Sequence, residues 1–219
     1  MLPADNVYAR AVRSLELPEG AVVPQRVRSL ESTQRLLEVA AELVAERGYT
    51  RATLAEIGAR AGFSRGIVRA RFGSKENLMW ALVNRASRSW FDHLLDPPSA
   101  GTGLEQITAI VRTIGRQVAA DPVSLRVLER LIFEATGELR ERFLVSQRQM
   151  RQSFADLFRR GIADASLSRD LDPDLEASLL VASLRGISYE RFLYPEEAPD
   201  IVILHERLAR QIEDRCGRR

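Results

Sequence analysis

A chain of 219 residues has room for one or two compact domains, and 45% hydrophobic with 28% charged residues excludes a disordered, collagen-like or disulfide-dense chain. Thirty-two basic and 30 acidic residues leave a net charge of only +2, yet residues 1–90 hold 14 Lys/Arg against 9 Asp/Glu while residues 91–219 hold 18 against 21. The single cysteine, Cys216, excludes an internal disulfide or a cysteine zinc cage, and an apolar stretch such as Ala177–Leu184 is too short to span a membrane.

Residues 1–28, with Pro3, Pro18, Gly20 and Pro24, keep no sustained period and read as a flexible arm, within which Tyr8–Leu17 suits a short helix. Acids, arginines and prolines stand where a signal peptide needs an apolar run, so a cytoplasmic location is expected. From Ser29 to Arg47 the positions Leu36, Leu37, Ala40, Leu43 and Val44 follow the helical period, and Gly48 stops it. Thr53 and Glu56 make a T-x-x-E capping-box pattern that opens a short helix to Ala61. Gly62 breaks that helix, Ser64 caps a third to Phe72, and Gly73-Ser74 separates it from a fourth over Lys75–Leu95.

The clearest loop is Asp96-Pro-Pro-Ser-Ala-Gly-Thr-Gly103. Thr102 and Glu105 then repeat the capping-box pattern for a helix to Ala120, and Asp121-Pro122 opens another that closes around Gly137. A long helix over Glu138–Asp164 comes next, then one from Asp172-Pro173 to before Pro195, then a last from Pro199-Asp200 to Arg215. The pattern predicts nine or ten helices and no sheet.

The informative pair is Thr53–Ala61 and Ser64–Phe72. Helices this short bury little alone and need a third packed behind them, with Leu54, Ile57, Ala61, Phe63, Val68 and Phe72 as the inner face. Gly58 is small enough to let the two axes approach. This is helix-turn-helix anatomy, in which the second helix enters the DNA major groove. Its outer positions are Arg65, Gly66, Arg69, Ala70 and Arg71, and between Arg51 and Ser89 there are 8 basic and 2 acidic residues. Burying three arginines inside the protein would strand charge, whereas turning them to phosphate releases counterions. A packing-only helix pair, or an interaction module that offers the arginine-rich helix to an acidic partner, gives the same residue pattern.

The run Arg35-Leu-Leu-Glu-Val-Ala-Ala-Glu-Leu-Val-Ala-Glu-Arg-Gly-Tyr49, the run Thr53-Leu-Ala-Glu-Ile-Gly-Ala-Arg-Ala-Gly-Phe-Ser-Arg-Gly66 and the run Phe72-Gly-Ser-Lys-Glu-Asn-Leu78 together resemble the DNA-binding domain of TetR-family transcriptional regulators. The resemblance covers about residues 30–80. It implies that Thr53 caps the second helix and offers its N-terminus to a phosphate. It implies base-edge contacts at Arg65 and Gly66, a thymine-methyl contact at Ile67 and a phosphate contact at Lys75, the only lysine of the chain. The family's usual aromatic is replaced by Arg69 and its usual histidine by Arg71, both at positions that touch the DNA backbone. Arginine serves phosphate there, with a steeper salt dependence. Arg10, Arg13, Arg26 and Arg28 of the arm are placed to reach an adjacent minor groove, or belong to a free tail.

By the same resemblance, residues 29–76 form the DNA-binding domain and residues 77–219 a larger helical domain for effector binding and homodimerisation. Leu175, Leu179, Ala182, Gly186 and Tyr189 share one helical face, as do Ile201, Leu204, Leu208 and Ile212, and two such helices per chain suit an isologous four-helix interface. Core packing within one chain would give the same stripes. Aromatic and sulfur residues after Lys75 (Trp80, Trp90, Phe91, Phe133, Phe143, Met150, Phe154 and Tyr189) single out no effector pocket, and a solvated or internally satisfied role is expected for His93 and His205. The chain has no HExxH, no Cys–His pairing and no complete glycine-rich nucleotide cradle, so no catalytic residue, metal or cofactor is expected. The expected function is that of a repressor that binds a palindromic double-stranded DNA operator and releases it when a small molecule binds.

Overall fold

The computed structural model describes residues 25–95 and 101–217, with side chains described outside 25–29 and 86–95. Among the described residues there are nine α-helices: α1 Gln25–Arg51, α2 Leu54–Ala61, α3 Arg65–Phe72, α4 Lys75–Leu95, α5 Gly103–Ala120, α6 Pro122–Glu134, α7 Gly137–Ala163, α8 Pro173–Leu193 and α9 Ile201–Cys216. They hold no strand, only one isolated antiparallel bridge between Leu167 and Gly217. Two compact units divide at Gln34, and the first contributes only the N-terminal turns of α1 to the described residues. The second unit, from Arg35 onward, holds the rest of α1 and all of α2–α9.

Side-chain caps set most helix ends. Thr102 accepts from the Glu105 N–H while the Glu105 carboxylate accepts from the Thr102 N–H, a complete capping box. Asp121, Asp172 and Asp200 each accept from backbone N–H groups in the first turn of α6, α8 and α9. At α2 only half of the expected box forms. Thr53 accepts from the Glu56 N–H at 3.2 Å, but the Glu56 carboxylate turns away to Arg47 at 2.6 Å and Arg60 at 3.8 Å. Charged partners in reach outcompete a single orphan N–H. The first helix also begins at Gln25, so residues 25–28, including Arg26 and Arg28, belong to a helix and not to an arm. Pro24 immediately precedes it, and proline is compatible with a helix start. Residues 1–24, with the short helix expected at Tyr8–Leu17, lie outside the described residues.

Two hydrophobic cores form, and they do not divide at residue 76. The first joins α1, α2, α3 and the start of α4 to Val127 and Leu131 of α6 and Leu139 and Phe143 of α7. Trp80 meets Phe143 edge to face, with ring centroids 5.8 Å apart. Helices α2 and α3 are too short to enclose their own apolar face, and α6 and α7 extend the same core by packing against α4. The second core is built from α5, α7, α8 and α9. There α5 crosses α7 backbone to backbone: a Cβ on Gly103 would lie 2.3 Å from the Gly161 nitrogen.

The two stripes expected to pair between chains have different fates. On α9, Ile201 and Ile212 are buried and Leu204 and Leu208 half-buried, so that stripe packs within its own chain, mainly on α5. Arg112 of α5 fixes the contact by bridging Glu206 at 2.7 Å and Glu213 at 3.0 Å. His205 is fully buried beside it, its Nδ1 2.7 Å from the Ile201 carbonyl oxygen. On α8, Leu175, Leu179, Ala182, Gly186 and Tyr189 are all exposed.

Replacing Gly103 by alanine forces α5 away from the backbone of α7. The expected cost is about 1–3 kcal/mol, read as a lower urea midpoint with an unchanged slope.

Candidate functional site

The second short helix stands on a glycine hinge. Gly58 of α2 is buried, and a Cβ there would lie 2.8 Å from the Phe63 carbonyl oxygen and 3.0 Å from a Val68 methyl. The close approach seats Val68 fully in the first core, with Leu54, Phe63 and Phe72 half-buried around it. Once Val68 is anchored, helical geometry turns its neighbours outward. Ser64, Arg65, Gly66 and Ile67 form a continuous exposed run at the N-terminus of α3, and Arg69 and Ala70 are exposed beyond it. Ser64 accepts from the Ile67 N–H at 3.3 Å, and Ile67 is 46% exposed, unusual for isoleucine. Arg65 and Arg69 make no ion pair among the described residues, and Arg71 is half-buried. Thr53 lies exposed at the N-terminus of α2. The structure therefore leaves Ser64, Arg65, Gly66, Ile67 and Arg69 exposed at α3, with Arg71 half-buried.

Lys75 behaves differently from a projecting phosphate contact. Its ammonium donates to the Thr50 carbonyl at 3.3 Å and sits 4.1 Å from the centre of the Tyr49 ring. Burial holds its pKa below the ordinary lysine range, against the opposing pull of Glu76 and Glu134. Tyr49 is itself buried and donates its hydroxyl to Glu76 at 3.4 Å. Its own pKa is raised, by burial first and by the Glu76 carboxylate second.

This knot exists because α1 breaks at Gly48, where φ is 81° and ψ 170°. That conformation is open to glycine, and it turns the Tyr49 N–H out of the helical ladder. The orphan N–H donates at 2.7 Å to the Glu134 carboxylate, from the last residue of α6. A Cβ on Gly48 would lie 2.5 Å from that carboxylate, so any other residue displaces the Glu134 side chain in addition to straining the backbone. The sequence shows the break but not the acceptor, which lies 85 residues away.

A cavity opens where the two cores meet. Ile114, Gln117 and Val118 of α5 form one wall, Leu125, Leu128, Glu129 and Ile132 of α6 a second, Gln147 and Met150 of α7 a third, and Leu184 and Arg185 of α8 a fourth. Behind its open mouth the cavity has a volume of about 100 Å³. Of the aromatic and sulfur residues noted in the sequence only Met150 lines it; Phe154 is core, Phe133 and Tyr189 are exposed, and the side chains of Trp90, Phe91 and His93 lie outside the described residues. Glu129 is only 7% exposed, and burial pushes its carboxyl up to about 7 despite the lowering influence of Arg185. Of the cavity residues only Asp121, at its rim with Ser124, belongs to a sequence motif, the helix start Asp121-Pro122.

A helix-turn-helix with an outward arginine-bearing second helix, backed by a larger helical body, defines a DNA-binding transcriptional regulator. Residues 36–82 match the family model for bacterial regulatory proteins of the tetR family, and residues 103–216, more than half the chain, match the C-terminal domain of BetI-type transcriptional repressors. The chain belongs to the TetR family of transcriptional regulators. It is 23% identical over 175 residues to the HTH-type transcriptional regulator SrpR of Pseudomonas putida, covering 78% of this chain and 80% of SrpR. Its fold is similar to that of SmeT of Stenotrophomonas maltophilia, with a TM-score of 0.72, 23% identity and coverage of 85% of this chain and 90% of SmeT. It is also similar to NalD of Pseudomonas aeruginosa, with a TM-score of 0.74, 20% identity and coverage of 87% and 98%. Among the described residues, no helix is long and apolar enough to cross a membrane.

Replacing Glu134 by alanine leaves the Tyr49 N–H without its acceptor. The expected loss is about 1–3 kcal/mol, accompanied by faster amide exchange at Tyr49 and in the turn after it, while α8 and α9 keep their protection.

Proposed function

We propose that this regulator is a homodimeric repressor that reads a palindromic operator with α3 and releases it when a small molecule enters the α5–α8 cavity. The observation that carries the DNA-reading half is the exposed run Ser64–Ile67 with Arg65 and Arg69 free of ion partners among the described residues. Arg65 and Gly66 meet base edges, Ile67 a thymine methyl, and Arg69 and Arg71 the flanking backbone. Thr53 and Ser64 offer helix N-termini to phosphates. Lys75 holds the end of α1 with one of its three N–H donors and keeps the others for a phosphate.

Dimerisation uses the exposed apolar face of α8, extended by Val202 and Ile203 at the start of α9, the latter 67% exposed. Small Ala182 and Gly186 sit in the middle of that face, and a Cβ on Gly186 would meet nothing within 4 Å, which leaves room for a second helix to approach. Two such chains set their α3 helices about one turn of duplex apart, roughly 34–36 Å.

Helix α6 supplies the coupling. Leu125, Leu128, Glu129 and Ile132 face the cavity, and Glu134, half a turn further, holds the broken end of α1. A molecule that occupies the cavity with α6 displaced cannot leave the Glu134–Tyr49 bond in place, and its differential affinity for the displaced state is what lowers operator affinity. Moving such a switch from mostly bound to mostly released takes about 5.5 kcal/mol of that difference. SmeT and NalD, similar in fold, are described as repressors of multidrug efflux pumps, and SmeT also as a complex with triclosan.

With a site mapped by genomic footprinting, the double substitution Arg65→Ala with Arg69→Ala is expected to weaken specific binding by about thirtyfold or more, from about 1–3 kcal/mol per contact, and to flatten the salt dependence. Circular dichroism should stay unchanged, and undiminished selective binding by the folded double variant would reject the reading head. The substitution Leu179→Glu is expected to give monomers by analytical ultracentrifugation; a persistent dimer would place the interface elsewhere.

A further inference from the structure

We infer that the effector is an apolar molecule carrying a protonated amine, whose N–H groups serve hydrogen-bond acceptors that the cavity leaves unpaired. The inference rests on the reading of the α5–α8 cavity as the effector site.

Three acceptors on cavity-lining residues of three different helices have no donor among the described residues. The Glu129 carboxylate of α6, on a side chain more than nine-tenths buried, has neither a hydrogen bond nor an ion pair among the described residues. The amide oxygens of Gln117 on α5 and Gln147 on α7 are buried and have no hydrogen-bond partner. Buried acceptors without donors are costly in a folded protein, and a cavity that carries three of them complements a donor-rich guest. An ammonium brings three N–H donors and a charge opposite to that of Glu129. The remaining lining, chiefly Ile114, Val118, Leu125, Leu128, Ile132 and Met150, takes an apolar body.

Other head groups leave part of this set unanswered. A quaternary ammonium balances the charge but has no N–H to give. A hydroxyl has one donor for three acceptors, and a carboxylate repeats the charge of Glu129, with Arg185 the one cationic side chain of the lining to answer it. The positive group of the cavity, Arg185 of α8, interacts with Glu129 at longer range than an ion pair, and its own partial burial holds its pKa below the ordinary arginine value. Burial pushes the Glu129 carboxyl up to about 7, so the empty cavity resists holding an unpaired carboxylate, and an arriving ammonium supplies the missing partner.

The test is a head-group series on one tail: decylamine, decyltrimethylammonium, 1-decanol and decanoate, titrated calorimetrically at pH 8 into the full chain. Decylamine is expected to bind at least tenfold more tightly than each of the other three. Glu129→Gln, which keeps the side-chain volume, should weaken decylamine tenfold or more and leave decanol within threefold. Leu128→Trp, which fills the cavity, should abolish binding of all four. Equal or tighter binding of decanoate, decanol or decyltrimethylammonium, or indifference of decylamine to Glu129→Gln, would overturn the amine assignment while leaving the cavity reading intact. If none of the four binds, or if a folded Leu128→Trp binds them all as before, the cavity reading falls and the amine assignment with it.

Discussion

The hydrogen bond from the Tyr49 N–H to the Glu134 carboxylate ties the reading head to the helical body, and the backbone at Gly48 makes it necessary. A helix that breaks through a positive φ ejects an N–H that water cannot reach once Tyr49 is buried, so an acceptor must come from elsewhere. It comes from the C-terminal end of α6, a helix that also walls the cavity and contributes Val127 and Leu131 to the first core. Lys75 and Glu76 at the start of α4 grip the same tyrosine from the other side. Three helices thus converge on one residue at the base of the reading head. Neither α4 nor α6 can shift there without disturbing α1, which supports α2 and α3.

Charge is distributed to match. In the body, several arginines find carboxylates: Arg112 takes Glu206 and Glu213, Arg159 takes Asp156 and Asp174, and Arg215 takes the buried Glu176. At the foot of the head, Arg47 and Arg60 share Glu56, and Arg60 also reaches Glu46. On α3 the pattern stops, for Arg65 and Arg69 have no carboxylate partner among the described residues. Exposed ion pairs contribute little stability, and α3 itself carries no acidic residue, so Arg65 and Arg69 leave its outer face positive. The small net charge of the chain conceals that positive face.

Glycine decides how closely the helices approach. At Gly58 the missing Cβ lets α3 lie against α2 with Val68 at the bottom of the contact, which fixes the rotation of α3 and so the direction of its arginines. At Gly103 it lets α5 run against the backbone of α7, which sets one wall of the cavity. The α8 face around Gly186 has the same kind of small-residue stripe with nothing laid upon it. Closeness inside the chain and openness outside it come from one residue type used in different surroundings.

The nine described helices, most of their starts, the exposure of Arg65 and Arg69 and the need for a close approach at Gly58 were legible in the sequence, because each depends on residues within a few positions of one another. Caps, glycine breaks and a 3.6-residue period are local physics. The fate of the two apolar stripes was not legible, since a stripe is identical whether its own chain or a second chain covers it; only packing showed that α9 faces inward and α8 outward. Lys75 was read as a residue for phosphate alone because nothing nearby in sequence announces that the Tyr49 ring lies beneath its ammonium. Glu134, Glu129, Gln117 and Gln147 carry no motif, and their importance comes from which polar atoms the fold pairs and which it strands. That pairing is decided between residues tens of positions apart, where only tertiary structure sets the distance.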